Sequence, residues 1–507
     1  MNKNLETFFA WFNDHGWGLA YGDARLRPGS GGMSRVKAEL VDLETKFSRH
    51  VSLKVPIIGA AMDTVTEYPM GIALAEMGGL GIIHRNLSPK DQAFHVSRVK
   101  RHLHGLILDP ICFQQDCAIR EILNIRREKQ YPFQSFLIVD ADGKLVGVLT
   151  GNDFELCNDV DQQAREVMSV APVCAPPGTT IDGAYALMRE HHCKLLPIKE
   201  DDGRVAGLYT LSDVKRITSG RSKLNNLDEH GQLRVGAAVG TDEDTLERVK
   251  LLVEAHVDVI VIDKAHIDTD EAYHTLQVIK SNYGRVDVVV GNVSEPESAQ
   301  RILEGGADGI KIGQGPGSIC TTRIIAGVGC PQLTAVYNCS LLAQQWGVPA
   351  CADGGIVYSG DIPIAIGAGA SSVMLGNLLA GTDEAPGTIV HWRNRDWKEY
   401  RGMGSLEAMQ ERPASRERYG QAHSSPEDLV PEGVSGRVPY RGPLKKVMTQ
   451  LIGGLRQGMW YVGVSNIELL RERANFRYTP GAAKEESHPH DVSITHEPPN
   501  YHVGSHE

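Results

Sequence analysis

Eight short apolar runs, each followed by a helical pattern of apolar and polar residues, recur along most of the chain. Such runs, rich in β-branched residues, are typical of buried parallel strands. Parallel strands with helices on both faces predict an α/β protein, and eight such units fit a closed (β/α)8 barrel. A doubly wound open sheet is the alternative. The runs end at Asp63, His84, Gly240, Asp263, Asn292, Gly313, Gly355 and Gly376.

Polar side chains suited to ligand binding lie at or near four of these run ends, at Asp63, Asp263, Asn292 and Asp353. A (β/α)8 barrel builds its active site from the carboxyl ends of its strands, so the topology would bring these residues to one rim. The alternative interpretation is that some of them only cap the following helices.

A segment with a different residue pattern, 105–220, lies between the second and third runs. This leaves 1–104 and 221–507 for the barrel. It contains a repeat with a 60-residue spacing, which predicts two copies of a hairpin followed by a helix. The repeat resembles a tandem pair of cystathionine-β-synthase-type (CBS) modules. That resemblance implies binding of an adenine or guanine nucleotide, with Asp153 and Asp213 at ribose hydroxyls; helix capping is the alternative. The matching positions are Gly143 and Gly203, Gly147 and Gly207, and Asp153 and Asp213.

Composition excludes several classes of protein. The 507 residues carry a net charge of −11 and no run of Lys and Arg, so a specific nucleic-acid partner is not expected. No apolar stretch approaches the roughly 18 residues that span a bilayer, and the N-terminus is unlike a signal peptide, so a cytoplasmic protein is expected. Nine cysteines without a CxxC pair argue against structural zinc and disulfides, and leave room for one functional thiol.

The densest chemical signal is DGIKIGQGPGSICTTRIIAGVGCPQ, residues 308–332. Gly313, Gly315 and Gly317 permit a sharp turn after a strand, which can aim backbone carbonyls or amides at an ion. Cys320 lies in this turn beside hydroxyl groups and an arginine, and these surroundings favour thiolate over thiol. From spacing alone, a nucleophile and a buried structural cysteine remain equally good interpretations.

A long polar segment near the C-terminus, residues 409–433, has the sequence MQERPASRERYGQAHSSPEDLVPEG. It is too polar to be expected to pack and too long for a simple connector. We therefore predict a mobile lid, or flap, over the active site.

These motifs together resemble the family of inosine monophosphate dehydrogenases and guanosine monophosphate reductases. The loop at 308–332 looks like the catalytic loop of that family, and further matches follow in family order through almost the whole chain. They are AAMDTVTE (60–67), GGLGIIHRN (78–86), LRVGAAVG (233–240), GNV (291–293), ADGGI (352–356), RGMGSLEAM (401–409), VPEGVSGRV (430–438) and ITHEPPNY (494–501).

The resemblance implies a two-step oxidation of inosine 5′-monophosphate to xanthosine 5′-monophosphate in guanine nucleotide biosynthesis. The Cys320 thiolate would add to C2 of the hypoxanthine ring, NAD would take the hydride, and water would hydrolyse the covalent thioimidate under the lid. Arg418 would activate the water, and Thr322 and Glu432 would relay protons. The residues assigned to catalysis in this way are Cys320, Thr322, Arg418, Tyr419 and Glu432.

The resemblance also assigns binding residues. Asp353 would accept hydrogen bonds from the ribose, and backbone amides near Gly355 and Gly376 would take the phosphate. A monovalent cation, usually K⁺, would be held partly by a neighbouring subunit of a homotetramer, or of an octamer built from tetramers. The nucleotide set is Ser318, Asp353, Gly355, Gly376, Asn377, Tyr400, Met403 and Gly404. The dinucleotide set is Asp263, Asn292, Gly313 and Gly315. The cation set is Gly315, Gly317 and Cys320, with Glu486, Ser487 and His488 of the neighbour.

A dehydrogenase is favoured over a reductase because only the former must hydrolyse its intermediate, and the long lid contains the Arg418-Tyr419 pair that matches the family. The first alternative is an NADPH-dependent guanosine monophosphate reductase. The second, from another class, is a non-catalytic nucleotide sensor.

Two departures from the dehydrogenase pattern affect the binding residues. Lys264-Ala265 follow Asp263 where dehydrogenases usually carry two serines, and Ala265 is closer to some reductases. Lys264 could meet the 2′-phosphate of NADPH, although a solvated lysine is the simpler expectation. Asn377 replaces a usual serine and retains a hydrogen-bond donor.

Overall fold

The computed structural model of the protein describes residues 2–29, 37–102, 106–107, 109–129, 131, 133–218 and 224–501. The chain divides into two compact units. One contains Met1–Lys100, Leu224–Asn226 and Leu233–Glu507, and the other contains Arg101–Lys223 and Leu227–Gln232. The boundaries expected from the sequence, at 104/105 and 220/221, lie outside the described residues.

The larger unit contains a closed barrel of eight parallel strands, which confirms the (β/α)8 prediction and excludes the open doubly wound sheet. All eight apolar runs of the sequence contribute one strand each. The strands are β1 (Ile57–Gly59), β2 (Leu80–Ile83), β3 (Gly236–Val239), β4 (Val259–Asp263), β5 (Asp287–Val293), β6 (Gly309–Ile312), β7 (Ala350–Asp353) and β8 (Ser372–Leu375).

Burial explains why these strands are continuous apolar runs rather than alternating ones. Every residue of β4 and β5 is buried, because one face of each strand points into the barrel and the other lies under helices. A single cluster of buried side chains includes members from β1, β2, β3, β4, β5, β7 and β8, among them Ile58, Ile82, Val261, Val289 and Met374. The barrel interior is therefore a packed core, and the ligand site must lie at a rim.

Helices connect the strands and cover the barrel. A short pair of strands, Thr45–Lys46 with Ser52–Leu53, lies at its amino-terminal end, where the Thr45 hydroxyl donates to the carbonyl of Ser371. A second short pair joins Ala24–Leu26 to Phe476–Tyr478. Among the described residues, no helix combines the length and apolar character needed to cross a membrane. The longer helices of this unit are Lys3–Asp14, Tyr68–Glu76, Pro89–Lys100, Thr245–Glu254, Asp270–Asn282, Pro296–Glu304, Gln332–Gln345, Asp361–Gly367, Leu444–Val462 and Ile467–Arg473.

The predicted lid is anchored on a three-stranded antiparallel sheet formed by Ile389–Trp392, Arg395–Arg401 and Ser435–Pro439. Arg401 pairs with Ser435 at the end of this sheet, so the chain leaves and returns at adjacent points. Between them lie the short helices Leu406–Glu411 and Pro413–Arg418.

The expectation that the lid is too polar to pack is wrong for part of it. Met409 and Ser415 are fully buried, and Glu417 is nearly so. This part of the lid packs with Glu417 and Arg418 in ion pairs with the barrel, which a count of polar residues does not reveal, whereas most of 420–430 is exposed.

The smaller unit contains the hairpin-and-helix repeat expected from the 60-residue spacing. Phe136–Val139 pairs with Leu145–Leu149 ahead of helix Gly151–Leu156, and Leu195–Lys199 pairs with Val205–Thr210 ahead of helix Leu211–Thr218. The register shifts at the same place in each hairpin, between Ile138 and Val139 and between Ile198 and Lys199. The remaining elements are strands Cys112–Gln114 and Ser169–Val170 and helices Ile119–Glu128, Ala164–Val167 and Ile181–Glu190.

Candidate active site

A cavity of about 690 Å³ opens at the carboxyl ends of the barrel strands. Asp263 and Asp353 are the last residues of β4 and β7, and Asn292 lies at the end of β5, so the barrel brings three of the four predicted rim residues into its wall. Asp63 is not part of the lining. Its carboxylate instead binds Arg401 at 2.8 Å and accepts from the Asn86 amide at 2.8 Å, which ties the base of the lid to the barrel.

Most of the predicted catalytic and binding residues line this one cavity. The structure also places Lys264, Ala265, His266 and Glu295 in its wall, none of which was assigned a definite role from the sequence. The predicted residues Ser318, Gly355, Gly376, Asn377 and Gly404 lie outside the lining. The predicted residues inside it are Asp263, Asn292, Gly313, Gly315, Gly317, Cys320, Thr322, Asp353, Tyr400, Met403, Arg418, Tyr419 and Glu432.

Arg323 fixes the conformation of the loop after β6. Its guanidinium donates from Nε to the carbonyl of Gln314 at 3.0 Å and from Nη2 to the carbonyl of Cys330. Gly315 adopts φ of +78°, in the left-handed region, where a side chain would strain the turn. Arg323, the arginine expected beside the thiol, thus links the two ends of the loop. It shapes the pocket of Cys320 through the backbone.

Cys320 is half-buried on the cavity wall, with its Sγ 3.2 Å from the hydroxyl oxygen of Thr322. The end of the lid runs antiparallel to this loop: the amide of Thr321 donates to the carbonyl of Glu432 at 2.9 Å. Three of the predicted catalytic residues, Cys320, Thr322 and Glu432, are therefore brought together although they come from two distant segments.

Lys311 is a charged residue of the site that the sequence reasoning missed. It lies within β6 with 3% of its side chain exposed, and its Nζ is 3.0 Å from Asp263 Oδ1 and 2.6 Å from Asp353 Oδ2. Asn292 donates to Asp353 at 3.0 Å and to the carbonyl of Gly313 at 2.6 Å. The available signal was a lysine inside the apolar run DGIKIG, because an unpaired charge is too costly to bury there.

Arg418 and Tyr419 lie midway along the lid and form part of the cavity wall. The guanidinium of Arg418 forms an ion pair with Asp263, and the amide of Ala265 donates to the Arg418 carbonyl at 3.1 Å. Burial lowers the pKa of Arg418, while the neighbouring Tyr419 opposes that shift; burial raises the pKa of Tyr419. A Cβ on Gly404 would lie 2.6 Å from the Tyr419 ring, so the lid packs directly against that backbone.

Glu417, next to Arg418, is paired with the barrel through Arg85 and Lys264, and neither Arg85 nor Glu417 was predicted from the sequence. Lys264 was expected to be solvated, but only 12% of its side chain is exposed. Burial opposes ionisation of Glu417, but the two cations and the Thr241 hydroxyl outweigh it and lower the pKa of the carboxyl group. The solvated interpretation of Lys264 is wrong because the lid covers it.

Four residues of the predicted nucleotide set, Ser318, Gly376, Asn377 and Tyr400, lie close together. The Asn377 amide donates to the Ser318 hydroxyl at 3.3 Å, and the buried Tyr400 hydroxyl also hydrogen-bonds Ser318. A Cβ on Gly376 would lie 2.8 Å from the Tyr400 hydroxyl oxygen. The half-buried Gly355 follows β7 with φ of +81°.

Sequence comparison decides the family. The profile described as "IMP dehydrogenase / GMP reductase domain" matches residues 18–490. The chain belongs to the IMP dehydrogenase / GMP reductase family. Curated relatives named inosine-5′-monophosphate dehydrogenase include one from Aquifex aeolicus, 48% identical over 96% of this chain and 98% of its own, and one from Bacillus subtilis, 43% identical over the same shares.

Among solved structures, the fold matches a GMP reductase of the same family. This is a variant of the Trypanosoma brucei enzyme in complex with guanosine 5′-monophosphate, with a TM-score of 0.84 and 38% identity. The match covers 95% of this chain and all of the other. Chain length therefore does not separate the two activities of the family.

The remaining predicted residues lie away from the cavity wall. Glu486, Ser487 and His488 are exposed at the end of helix Gly481–Glu486, where His488 Nδ1 is 3.0 Å from the Tyr501 hydroxyl. In the smaller unit, Asp153 and Asp213 lie in the first turns of their helices and accept hydrogen bonds from Thr150 at 2.7 Å and Thr210 at 2.6 Å. The capping interpretation thus describes both aspartates, and a ribose contact stays a prediction.

Proposed function

We propose that this chain oxidises inosine 5′-monophosphate to xanthosine 5′-monophosphate, with Cys320 as the nucleophile and NAD as the hydride acceptor. The observation that carries the proposal is the buried Arg418 of the lid, which closes the cavity that holds Cys320. A closing lid with a base is what hydrolysis of a covalent intermediate requires. The names of the relatives, at 43% to 48% identity, support the same reaction.

In the first half-reaction, Cys320 loses its proton and its sulfur lone pair forms a bond to C2 of the hypoxanthine ring. The Thr322 hydroxyl, 3.2 Å from the sulfur, is placed to take part in that proton transfer. NAD supplies the acceptor for the hydride that leaves C2, and the product is a thioimidate on Cys320. Asp353, held by Lys311 and Asn292, would orient the ribose.

In the second half-reaction, water adds to C2 and the carbon–sulfur bond breaks to return the thiolate. Neutral Arg418 would take the proton from this water; burial favours that form because it lowers the pKa of Arg418, and the ion pair with Asp263 opposes it. Tyr419 lies beside it, and Thr322 and Glu432 would pass the proton onward. Glu432 is suited to this because its backbone is tied to the catalytic loop.

Asp263 would bind the dinucleotide in the first half-reaction and Arg418 of the lid in the second. Asp263 belongs to the proposed dinucleotide site, and here it binds Arg418 of the closed lid. Asn292, Gly313 and Gly315 complete that dinucleotide site in the cavity wall. The dinucleotide would therefore leave before the lid closes, which separates hydride transfer from hydrolysis.

The charges of the cavity favour NAD over NADPH. Among the described residues of its wall, the Lys and Arg side chains are Lys264, Lys311 and Arg418, and each is paired with a carboxylate. A 2′-phosphate would have to displace one of these partners to gain a counter-ion, which would leave a carboxylate unpaired.

Reduction of guanosine 5′-monophosphate is the second candidate, because of the match to the Trypanosoma reductase. A paired-substrate assay distinguishes them spectrophotometrically. NADH formation from inosine 5′-monophosphate is expected; NADPH consumption that depends on guanosine 5′-monophosphate would reject the proposal. Cys320→Ala is expected to abolish turnover and to retain nucleotide binding, and undiminished turnover would exclude covalent catalysis. A catalytically idle sensor would give neither signal.

The cation site is proposed on the loop of Gly315, Gly317 and Cys320, whose carbonyls would bind K⁺ with Glu486, Ser487 and His488 of a neighbouring subunit. The turn after β6 and the exposure of the C-terminal residues support this arrangement. Activity should fall when K⁺ is replaced by a large organic cation. Native mass measurement should give a tetramer or octamer, and a fully active monomer would reject the shared site.

For the smaller unit we propose an adenine or guanine nucleotide site of the tandem CBS type, with Asp153 and Asp213 at ribose hydroxyls. Its support is the structural repeat, which places both carboxylates at equivalent turns. Calorimetric titration of the full chain with ATP and with GTP tests it. Binding that Asp153→Ala or Asp213→Ala weakens is expected; no binding of either nucleotide would contradict it.

A further inference from the structure

Lys264 is aimed at the lid rather than at open solvent. Its Nζ is 3.1 Å from Glu417 Oε1 and donates to the Thr241 hydroxyl at 3.0 Å. Thr241 in turn donates to the same Glu417 oxygen at 2.7 Å. Lys264 and Thr241 follow the ends of neighbouring barrel strands, whereas Glu417 belongs to the lid.

Arg85, following β2, completes the cluster from the other side. Its guanidinium pairs with Glu417 and, at 3.4 Å, with Asp242, and it is 2% exposed. A Cβ on Gly240 would overlap the Arg85 guanidinium, so glycine is needed there for the contact. The carboxylate of Glu417 thus fits between two cations of the barrel.

Three consecutive barrel residues, 263–265, bind two consecutive lid residues, Glu417 and Arg418. Asp263 binds the Arg418 side chain, Lys264 binds Glu417, and the Ala265 amide binds the Arg418 carbonyl. We infer that Lys264 is a positioning residue that, with Arg85, latches the closed lid through Glu417. It acts on catalysis through Arg418, which Glu417 precedes in the chain.

The latch has a kinetic consequence, which rests on the proposed function. Opening the lid separates Glu417 from two cations, so losing Lys264 should lower the closed fraction, by about tenfold for a coupled buried pair. Hydrolysis needs the closed lid, so kcat should fall. The lid also competes with the dinucleotide at Asp263, so KM for NAD should fall as well. If Lys264 instead bound the dinucleotide phosphates, its loss would raise KM for NAD.

Hydrogen exchange of the ligand-free full chain tests the latch independently of the reaction. Peptides from 409–433 should exchange faster in Lys264→Ala and at the wild-type rate in Lys264→Arg. Lys280→Ala is the matched control: Lys280 is also a partly buried lysine in an ion pair, 2.6 Å from Asp308, but it lies at the amino-terminal end of the barrel. It should leave the exchange of the lid unchanged.

A double variant adds a second criterion. With Glu417→Gln already present, Lys264→Ala should cause little further acceleration, because the partner charge has gone. Wild-type exchange of the lid in Lys264→Ala, or equal acceleration in Lys280→Ala, would overturn the latch. A raised KM for NAD would overturn it too. Failure of the proposed function would instead appear in the paired-substrate assay and leave the exchange result standing.

Discussion

Replacing Lys311 with methionine tests the charge arrangement on which the proposed site depends. Methionine has a similar length and keeps the apolar contacts within β6, but it removes the cation between Asp263 and Asp353. Both carboxylates would then share a site of low exposure with one fewer counter-ion. The structure therefore predicts a loss of stability as well as a loss of activity.

The size of the effect follows from what each carboxylate retains. Removing one partner of a buried ion pair costs about 3–5 kcal/mol when the other charge is left alone. Here Asp263 keeps Arg418 and Asp353 keeps the Asn292 amide, so the lower value, about 3 kcal/mol, applies. At roughly 2 °C per kcal/mol for a large domain, the barrel should melt about 6 °C lower.

Scanning calorimetry of the full chain measures this change, since the two units can give separate transitions. The barrel transition should shift in Lys311→Met. In the double variant Lys311→Met with Asp353→Asn, about half of the stability should return, because the amide carries no charge. A shift below about 2 °C in the single variant, or a further loss in the double variant, would refute the assignment of Lys311 as the shared counter-ion.

Three further predictions concern the lid and the phosphate end. Burial lowers the pKa of Arg418, so its neutral form gains population as pH rises and kcat should increase with pH. Arg418→Gln should abolish that rise and lower kcat by about 10²–10³-fold. The NADH burst should be retained in rapid-mixing traces, because hydride transfer precedes hydrolysis. Tyr400→Phe removes the hydroxyl that hydrogen-bonds Ser318, and KM for the nucleotide should rise about fivefold, which corresponds to ~1 kcal/mol. Gly404→Ala places a methyl group against the Tyr419 ring, so the lid should exchange hydrogen faster and kcat should drop; an unchanged steady-state rate would contradict the packing.

The eight strands could be predicted because each is a local pattern. A run such as VDVIVID is apolar throughout only if both faces of the strand are covered, and a parallel sheet does that. The turn around Cys320 is also local, since the glycines and hydroxyls that shape it lie within a few residues. The 60-residue repeat needed only comparison of the chain with itself, and the two hairpins share their register shift.

The lid shows where local reasoning failed. Its composition predicted a solvated segment, yet Glu417 is buried between Arg85 and Lys264. Each of these residues, taken alone, looks like an ordinary surface charge. Asp63 was expected to contact the ligand, but it forms an ion pair with Arg401 at the base of the lid.

By itself, the order of residues predicted the barrel, because each strand is a local apolar run; the roles of the Cys320 loop and of the Arg418-Tyr419 pair came from the resemblance of those segments to the family. Only the tertiary structure decided which charges are paired. Lys311 with Asp353, and Lys264 with Glu417, are joined by barrel closure and by the return of the lid from the far end of the chain. An ion pair leaves no periodic signal in either partner, so its existence depends on geometry that only the folded chain provides.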